Sequence, residues 1–480
     1  MADYKCMAKL FSCIVLVVLL LKFNIVASRS IIETLPGFPG TLPFKLETGY
    51  IGVGNNDDVQ LFYYFIESER SPKHDPLVLW LTGGPGCSGF SGLVYEIGPL
   101  SFDYEKSRDE GYFPTLKLNP YSWTQVANII FLDAPVGTGF SYSTSWEGSY
   151  NLTDTLSAAQ TYSFLKKWLM EHPTFLRNQL YIAGDSYSGI IVPIVVQEIS
   201  DGNEDRRNPP LNLQGYVLGN PLTTPHDDKN SRIHFAYLMG LLSHKLYEST
   251  KTNCKGEYIN VDPNNTACVN DLHNVTDCTN KINMAQILEP MCSFQSPKPV
   301  GSKWDPSILV EDSIDLLLSN SQIPEPWCRN YHYGFSYIWA NDKTVQRALY
   351  IREGSKPDWV RCNESLSEGL SYTEDVFSTV NYHRNLIKKG YHILIYSGDH
   401  DMAVPYISTH TWIDSLNLTI SNEWEPWFVD GQVAGYTVEY TYKKSILTFA
   451  TVKGGGHTAP EYRPMECLAM VNRWFDYYPL

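Results

Sequence analysis

Residues 181–190 read YIAGDSYSGI, a serine set among glycine and small residues between two apolar stretches. The preceding NQLYIAG is short, aromatic and aliphatic and stops at Gly184, as a buried strand does. The following IIVPIVVQEIS is apolar and ends in polar residues, as a packed helix does, with Pro193 read into a first turn that tolerates it. Strand, tight turn and helix with serine at the apex form a nucleophile elbow, which lifts a hydroxyl clear of its sheet. Such a turn demands small neighbours, and Gly184, Ser188 and Gly189 are small. The usual G-x-S-x-G spacing is kept except at its last position, where Ser188 stands. A Gly-Asp-Ser turn alone is more often a plain loop, so Ser186 has to be judged by its partners.

A serine hydroxyl at neutral pH is a weak nucleophile, and its base must be oriented by an acid. In sheets of this kind the partners follow in the order Ser, Asp or Glu, His, in loops at strand C-termini. HILIYSGDHDMAVP offers Asp399, His400 and Asp401 just past a strand, and ILTFATVKGGGHTAP offers His457 in a glycine-rich loop. An aspartate after a strand is usually a turn former and a lone histidine usually structural. Strand-end placements in the order Ser186, Asp401, His457 are harder to assign to chance. LWLTGGPGCSG adds a loop, Gly83-Gly84-Pro85-Gly86, whose backbone N–H groups can line an oxyanion hole, although a plain glycine turn has the same composition.

The rest of the chain supplies a frame for these loops. Residues 30–50 are punctuated by proline and glycine and should be extended. VQLFYYFIES reads as an early strand, DPLVLWLTGG and VANIIFLDAP as buried parallel strands, and TYSFLKKWLMEHP as a helix ending before Pro173. LQGYVLGNP and KKGYHILIYSGDHD repeat the strand-then-turn theme. This alternation predicts an α/β fold, a mostly parallel central sheet with helices on both faces. Segment 226–375 breaks the rhythm with clustered cysteines and irregular helices and reads as an inserted cap. The expected organisation is core 29–225, cap 226–375 and core 376–480.

At 480 residues with 43% hydrophobic and 13% aromatic content, the chain is globular with a sizeable core. Its 37 basic against 52 acidic residues, net −15, argue against a nucleic-acid or anionic-membrane partner. Lys5 and Lys9 precede an apolar run from Leu10 to Leu21, followed by small residues, which predicts a signal peptide over 1–28. A signal anchor is the competing reading, but the run falls short of the ~20 residues a span requires. Losing three lysines and one aspartate takes the net charge from −15 to about −17. In the secretory route the remaining cysteines read as disulfide formers, and the absence of C-x-x-C argues against zinc. No metal or cofactor is expected. Sequons at Asn151, Asn264, Asn274, Asn363 and Asn417 fit a glycoprotein.

LPGFPGTLPF, ETGYIGV, WLTGGPGCSG, YEIGPL, LNPYSWTQVANIIFLDAPVGTGFSYS, GDSYSG, GYVLGNP, YSGDHD and GGGHTAPEYRP together resemble the serine carboxypeptidase family over nearly the whole mature chain. The resemblance implies an α/β-hydrolase fold with a disulfide-containing helical cap. It makes Ser186 the nucleophile, His457 its base and Asp401 the orienting acid, with Gly84 and Tyr187 N–H groups as oxyanion donors. With the clustering of 254–292 it also implies the disulfides Cys87–Cys328, Cys254–Cys268 and Cys278–Cys292. Six cysteines allow 15 pairings. Cys362 and Cys467 receive no partner.

Peptidase members typically read NGGPG and GESYAG, where this chain reads TGGPG and GDSYSG. In the peptidases that asparagine and glutamate hold the substrate's terminal carboxylate. Here Thr82, Gly83 and Asp185 would line the substrate site; threonine lacks an amide's two donors, and aspartate is one methylene shorter. The combination resembles the plant serine carboxypeptidase-like acyltransferases, which move phenolic acyl groups (galloyl, hydroxycinnamoyl or benzoyl) from 1-O-acyl-β-glucose to an acceptor hydroxyl in the vacuole. A hydrolytic carboxypeptidase or esterase, an extracellular destination and a catalytically silent secreted glycoprotein are the alternatives. The expected partners are a small acyl-glucose donor and a hydroxyl acceptor, without stable membrane association.

Overall fold

The computed structural model describes residues 29–109, 113–145, 147–149, 151–205, 210–291, 329–356, 358–369 and 371–480. The expected signal peptide lies outside the described residues. Eleven strands form the path of one twelve-stranded sheet. In chain order they are β1 (Arg29–Ile32), β2 (Leu46–Val53), β3 (Val59–Ile66), β4 (Leu77–Leu81), β5 (Asn128–Leu132), β6 (Leu180–Asp185), β7 (Leu213–Gly219), β8 (His392–Gly398), β9 (Thr419–Val429), β10 (Gln432–Tyr442) and β11 (Ser445–Val452). Side by side they run β1-β2-β3-β5-β4-β6-β7-β8-β11-β10-β9, and the short Tyr142–Ser143 strand pairs with β3.

The middle of the sheet, from β5 to β11, is parallel. Its strands are continuous apolar runs such as LVLWL and NIIFL, fully buried because both faces are covered. Antiparallel pairs close both ends. One face packs on α1 (Asp154–Glu171) and α2 (Ser188–Glu204) through Phe164, Trp168, Ile190 and Val195. The order continues with α3 (Pro225–Leu238), α4 (His244–Cys254), α5 (Thr266–Thr279), α6 (Arg329–Asn341), α7 (Val380–Lys389), α8 (Tyr406–Asp414) and α9 (Pro464–Phe475). The opposite face packs on α9 and α6 through Met470, Trp474, Phe335 and Trp339. Helices on both faces match the α/β expectation, but the sheet is mixed where a mostly parallel one was expected: among the described residues five of its pairings are parallel, all in the centre, and six are antiparallel.

Three elements differ in detail. Helix α2 starts at Ser188, which puts Pro193 in its second turn and removes the N–H that would meet the Gly189 carbonyl. Thr379 Oγ1 donates to that carbonyl instead, at 3.0 Å. The β9–β10 hairpin went unrecognised because TISNEWEPWFV mixes Asn, Glu and Pro and is exposed over most of its length, as an edge strand tolerates. Within the expected insertion 226–375, residues Ile233, Phe235, Leu242, Tyr247 and Val275 form a separate apolar cluster with Met402. Helix α6 belongs to the main core, where Trp339 stacks on Phe90 at 5.0 Å.

The expected Cys87–Cys328 bridge is corrected: Cys87 bonds Cys362. The two cysteines form an isolated antiparallel bridge, braced by Ser88 N–H donating to Arg361 O and Asn363 N–H to Gly86 O, which sets their Cα atoms 3.9 Å apart. Only tertiary contact brings together positions 275 residues apart. Cys254–Cys268 forms as expected, joining α4 to α5. For Cys278–Cys292, Cys292 lies outside the described residues; Cys278 is exposed and Cys467 buried, neither bonded to a described cysteine. Asn151, Asn264, Asn274 and Asn417 are exposed. Asn363 is different, for its Nδ2 donates to Gly137 O at 3.0 Å and its Oδ1 caps the turn at Ser365, so its amide is committed inside the fold.

Candidate active site

Strand β6 ends at Asp185 and α2 begins at Ser188, leaving Ser186 on the turn with φ +56°, a left-handed conformation costly for a side chain with a Cβ. Backbone bonds hold it there: Ser186 N–H donates to Gly219 O at 2.9 Å, while Ser186 O accepts from Gly189 and Leu222. The turn is closely packed on its neighbours. A Cβ on Gly184 would lie 2.4 Å from Leu81 O. Ser188, the departure from G-x-S-x-G, is buried and uses its hydroxyl to donate to Leu81 O at 2.8 Å.

His457 Nε2 lies 2.7 Å from Ser186 Oγ, and Nδ1 lies 2.7 Å from Asp401 Oδ2. A carboxylate only accepts, so Nδ1 carries the proton and Nε2 is left to take the serine's. Asp401 is fully buried and also accepts from Ala403 N–H, Val404 N–H and Asn220 Nδ2. The neighbouring candidates are excluded by geometry, because Asp399 takes His400 Nδ1 and Gly454 N–H. Burial disfavours the charged form of His457, but the Asp401 charge and hydrogen bond, with the Asp185 charge, outweigh it, and its pKa moves up.

Asn220 escaped the sequence reading; its Oδ1 accepts from Gly398 N–H while its Nδ2 holds Asp401, tying the ends of β7 and β8 to the acid. Its only signal was a polar residue closing an apolar strand in GYVLGNP. The segment after α5 also reaches the site: His457 N–H donates to Ala285 O at 2.7 Å, and Met402 and Ala403 N–H groups donate to Met284 O. Glu461, one turn beyond His457, accepts from Tyr333 Oη and Thr458 Oγ1.

The oxyanion loop follows β4. Gly84 and Tyr187 N–H groups have no hydrogen-bond partner among the described residues and remain open to a ligand oxygen. Gly83 lines the cavity beside this loop, and its N–H donates to Asp185 Oδ1 at 3.0 Å. Asp185 thus braces the loop against the elbow. It is buried, and burial pushes its pKa up to about 6 against the opposing effects of His457 and the Gly83 N–H. Glu96, also buried and also missed from sequence, is raised by burial first and then by the Asp185 and Glu461 charges. Thr82 Oγ1 is buried without a partner among the described residues. No described group of three or more His, Cys, Asp or Glu could hold a metal ion, and no described helix is long and apolar enough to cross a membrane.

A hydroxyl, imidazole and carboxylate in line beside open N–H groups, at the C-terminal ends of a parallel sheet, define a serine enzyme of the α/β-hydrolase class. The chain belongs to the serine carboxypeptidase family, whose model matches residues 36–477. It is 50% identical over 455 residues to serine carboxypeptidase-like 1 of Arabidopsis thaliana, covering 95% of this chain and 94% of that one. It is 47% identical over 463 residues to serine carboxypeptidase-like 8 of the same plant, covering 96% and 98%. The Kex1Δp prohormone-processing carboxypeptidase of Saccharomyces cerevisiae shares the fold, with a TM-score of 0.69 at 19% identity over 93% of this chain and 94% of that one.

Proposed function

We propose that this chain is an acyltransferase that moves a phenolic acyl group from a 1-O-acyl-β-glucose to an acceptor hydroxyl. The observation that carries the reading is the state of positions 82 and 185. Thr82 offers a hydroxyl where peptidases offer an amide, and Asp185 spends one oxygen on the Gly83 N–H. Neither presents the paired donors that a peptide's terminal carboxylate requires.

In this reading Ser186 Oγ attacks the ester carbonyl as its proton passes to His457 Nε2. Asp401 stabilises the imidazolium, and Gly84 and Tyr187 N–H groups hold the oxyanion. Collapse breaks the bond to the anomeric oxygen, and His457 returns the proton to the departing glucose. An acceptor hydroxyl then gives its proton to His457 and attacks the acyl-enzyme carbonyl; as the acyl–Oγ bond breaks, His457 returns that proton to Ser186 Oγ. The secretory route and the vacuole suit such a glycoprotein, with small-molecule donor and acceptor as partners.

One observation favours hydrolysis of peptides. Asp185 with a pKa of about 6, beside Glu96, which burial also raises, keeps a proton in mild acid and can then donate to a carboxylate. The deciding experiment compares the wild type with Thr82→Asn/Asp185→Glu on a blocked dipeptide and on an acyl-glucose plus acceptor alcohols, at pH 5 and 7. The expected outcome is transfer by the wild type and a shift toward dipeptide cleavage in the variant. A wild type that cleaves the dipeptide faster than it transfers acyl groups would restore the carboxypeptidase reading.

A further inference from the structure

Three separated segments meet at one buried carboxylate beside the nucleophile. Asp154 opens α1 and is fully buried. Its Oδ1 accepts from Tyr187 Oη at 2.8 Å and from Tyr372 Oη at 2.9 Å, while its Oδ2 accepts from Val376 N–H at 3.0 Å. Tyr187 is the residue after Ser186, and its side chain reaches away from the serine to this acid. Tyr372 meets Tyr187 edge-on, with centroids 6.3 Å apart at 78°. Leu152 and Thr153 pair with Tyr372 and Thr373, and Thr155 N–H donates to Asp375, so the returning strand is clamped to the start of α1.

We propose that Asp154 is a positioning residue for the oxyanion hole, fixing the Tyr187 peptide through the Tyr187 side chain and holding Tyr372 as the opposite wall of the cavity behind the oxyanion loop. That cavity is lined by Thr82, Gly83, Pro85, Gly86, Tyr187 and Tyr372, among others, so both Asp154-bound rings face the loop that supplies the Gly84 N–H. A Tyr187 ring anchored at its hydroxyl cannot swing, and its N–H, one bond from the Ser186 carbonyl carbon, keeps its aim. The carboxylate accepts at both oxygens, whereas asparagine keeps one acceptor: with its Oδ1 on Val376 N–H the two tyrosine hydroxyls must accept from the NH₂ and turn their protons elsewhere, and with its Oδ1 on the tyrosines the NH₂ meets Val376 N–H. Burying such a group is costly, and its pKa is raised by burial against those hydrogen bonds. The inference rests on Ser186 as the nucleophile and is independent of the acceptor.

The test is phosphonylation of the full-length protein by a fluorophosphonate, in which Ser186 Oγ bonds phosphorus, fluoride leaves and His457 takes the proton. For Asp154→Asn and Tyr187→Phe, the limiting labelling rate of the fraction that labels should fall on the order of tenfold or more, with probe affinity within about twofold. A purely structural role would lower the melting temperature and the labelled fraction but leave that rate unchanged. If Asp154→Asn fails to fold, Tyr187→Phe, which removes one hydroxyl, decides alone. Folded variants labelling within about twofold of the wild-type rate would overturn the positioning role; a wild type that never labels would overturn the nucleophile and the role together.

Discussion

A methyl group on Gly83 would fall 2.6 Å from the Ser186 β-carbon, 2.9 Å from Asp185 O and 3.0 Å from Tyr187 N. Backbone cannot yield as a flexible side chain does, so Gly83→Ala should displace the elbow from the oxyanion loop. A displacement near 1 Å costs about a hundredfold in rate, and fluorophosphonate labelling should slow accordingly. Ser186→Ala should abolish turnover, on the order of a million-fold, with the melting temperature nearly unchanged. A variant that retains near-normal turnover would sink the triad. His457 must be neutral to act as base and its pKa is raised, so the acid limb of the pH–rate profile should lie above 6.5, the ordinary histidine value.

At the level of elements, the Cys87–Cys362 bridge ties the oxyanion loop to the segment that precedes the short strand at Tyr372. Non-reducing peptide mapping should recover Cys87 linked to Cys362, and recovery with Cys328 would reverse the correction. Cys362→Ser should cost about 2–5 kcal/mol in denaturant unfolding, the usual loss for a native disulfide. Thr379→Val would leave the Gly189 carbonyl, already denied a donor by Pro193, unpartnered in the core. The expected loss is about 1–3 kcal/mol with the labelling rate of Ser186 unchanged, because α2 is weakened in its second turn and not at the elbow.

Across the whole molecule, burial raises the pKa of several acids at once. Asp133, Asp185 and Asp228 are each pushed up to about 6 by burial, against opposing hydrogen bonds or charges, and Glu96 and Glu461 are raised too. A raised carboxyl pKa means the native state binds more protons than the unfolded chain between about pH 4 and 6. Their contribution is therefore complete below the unfolded pKa and is lost as pH rises through the folded one. His457, also raised, acts in the same sense at higher pH. Thermal melting should accordingly be higher near pH 5 than near pH 7.5; a curve rising from pH 5 to 7.5 would show that the histidines lowered by burial, His383 to about 3 and His392, which must stay neutral in the fold, dominate instead.

What the sequence determined by itself is local: apolar runs of strand length, the small residues a tight turn requires, and chemistry-bearing residues just past strand ends. Ser186, Asp401, His457 and the Gly84 loop were legible because each follows a continuous hydrophobic run and the order along the chain is constrained. The choice of Asp401 over Asp399 and His400 rested on resemblance until the fold placed Asp401, buried, against His457. Cys362, Glu96 and Asp154 have nothing near them in sequence that distinguishes them, and Asn220 has only its place at the end of an apolar strand. Their roles come from partners 275 residues away for Cys362, or across neighbouring strand ends for Asn220. Asp154 shares that dependence, since its partners come from an elbow and a returning strand distant in the chain. Such pairings depend on how a parallel sheet orders its strands in space, and that order is decided by packing both faces of the sheet at once.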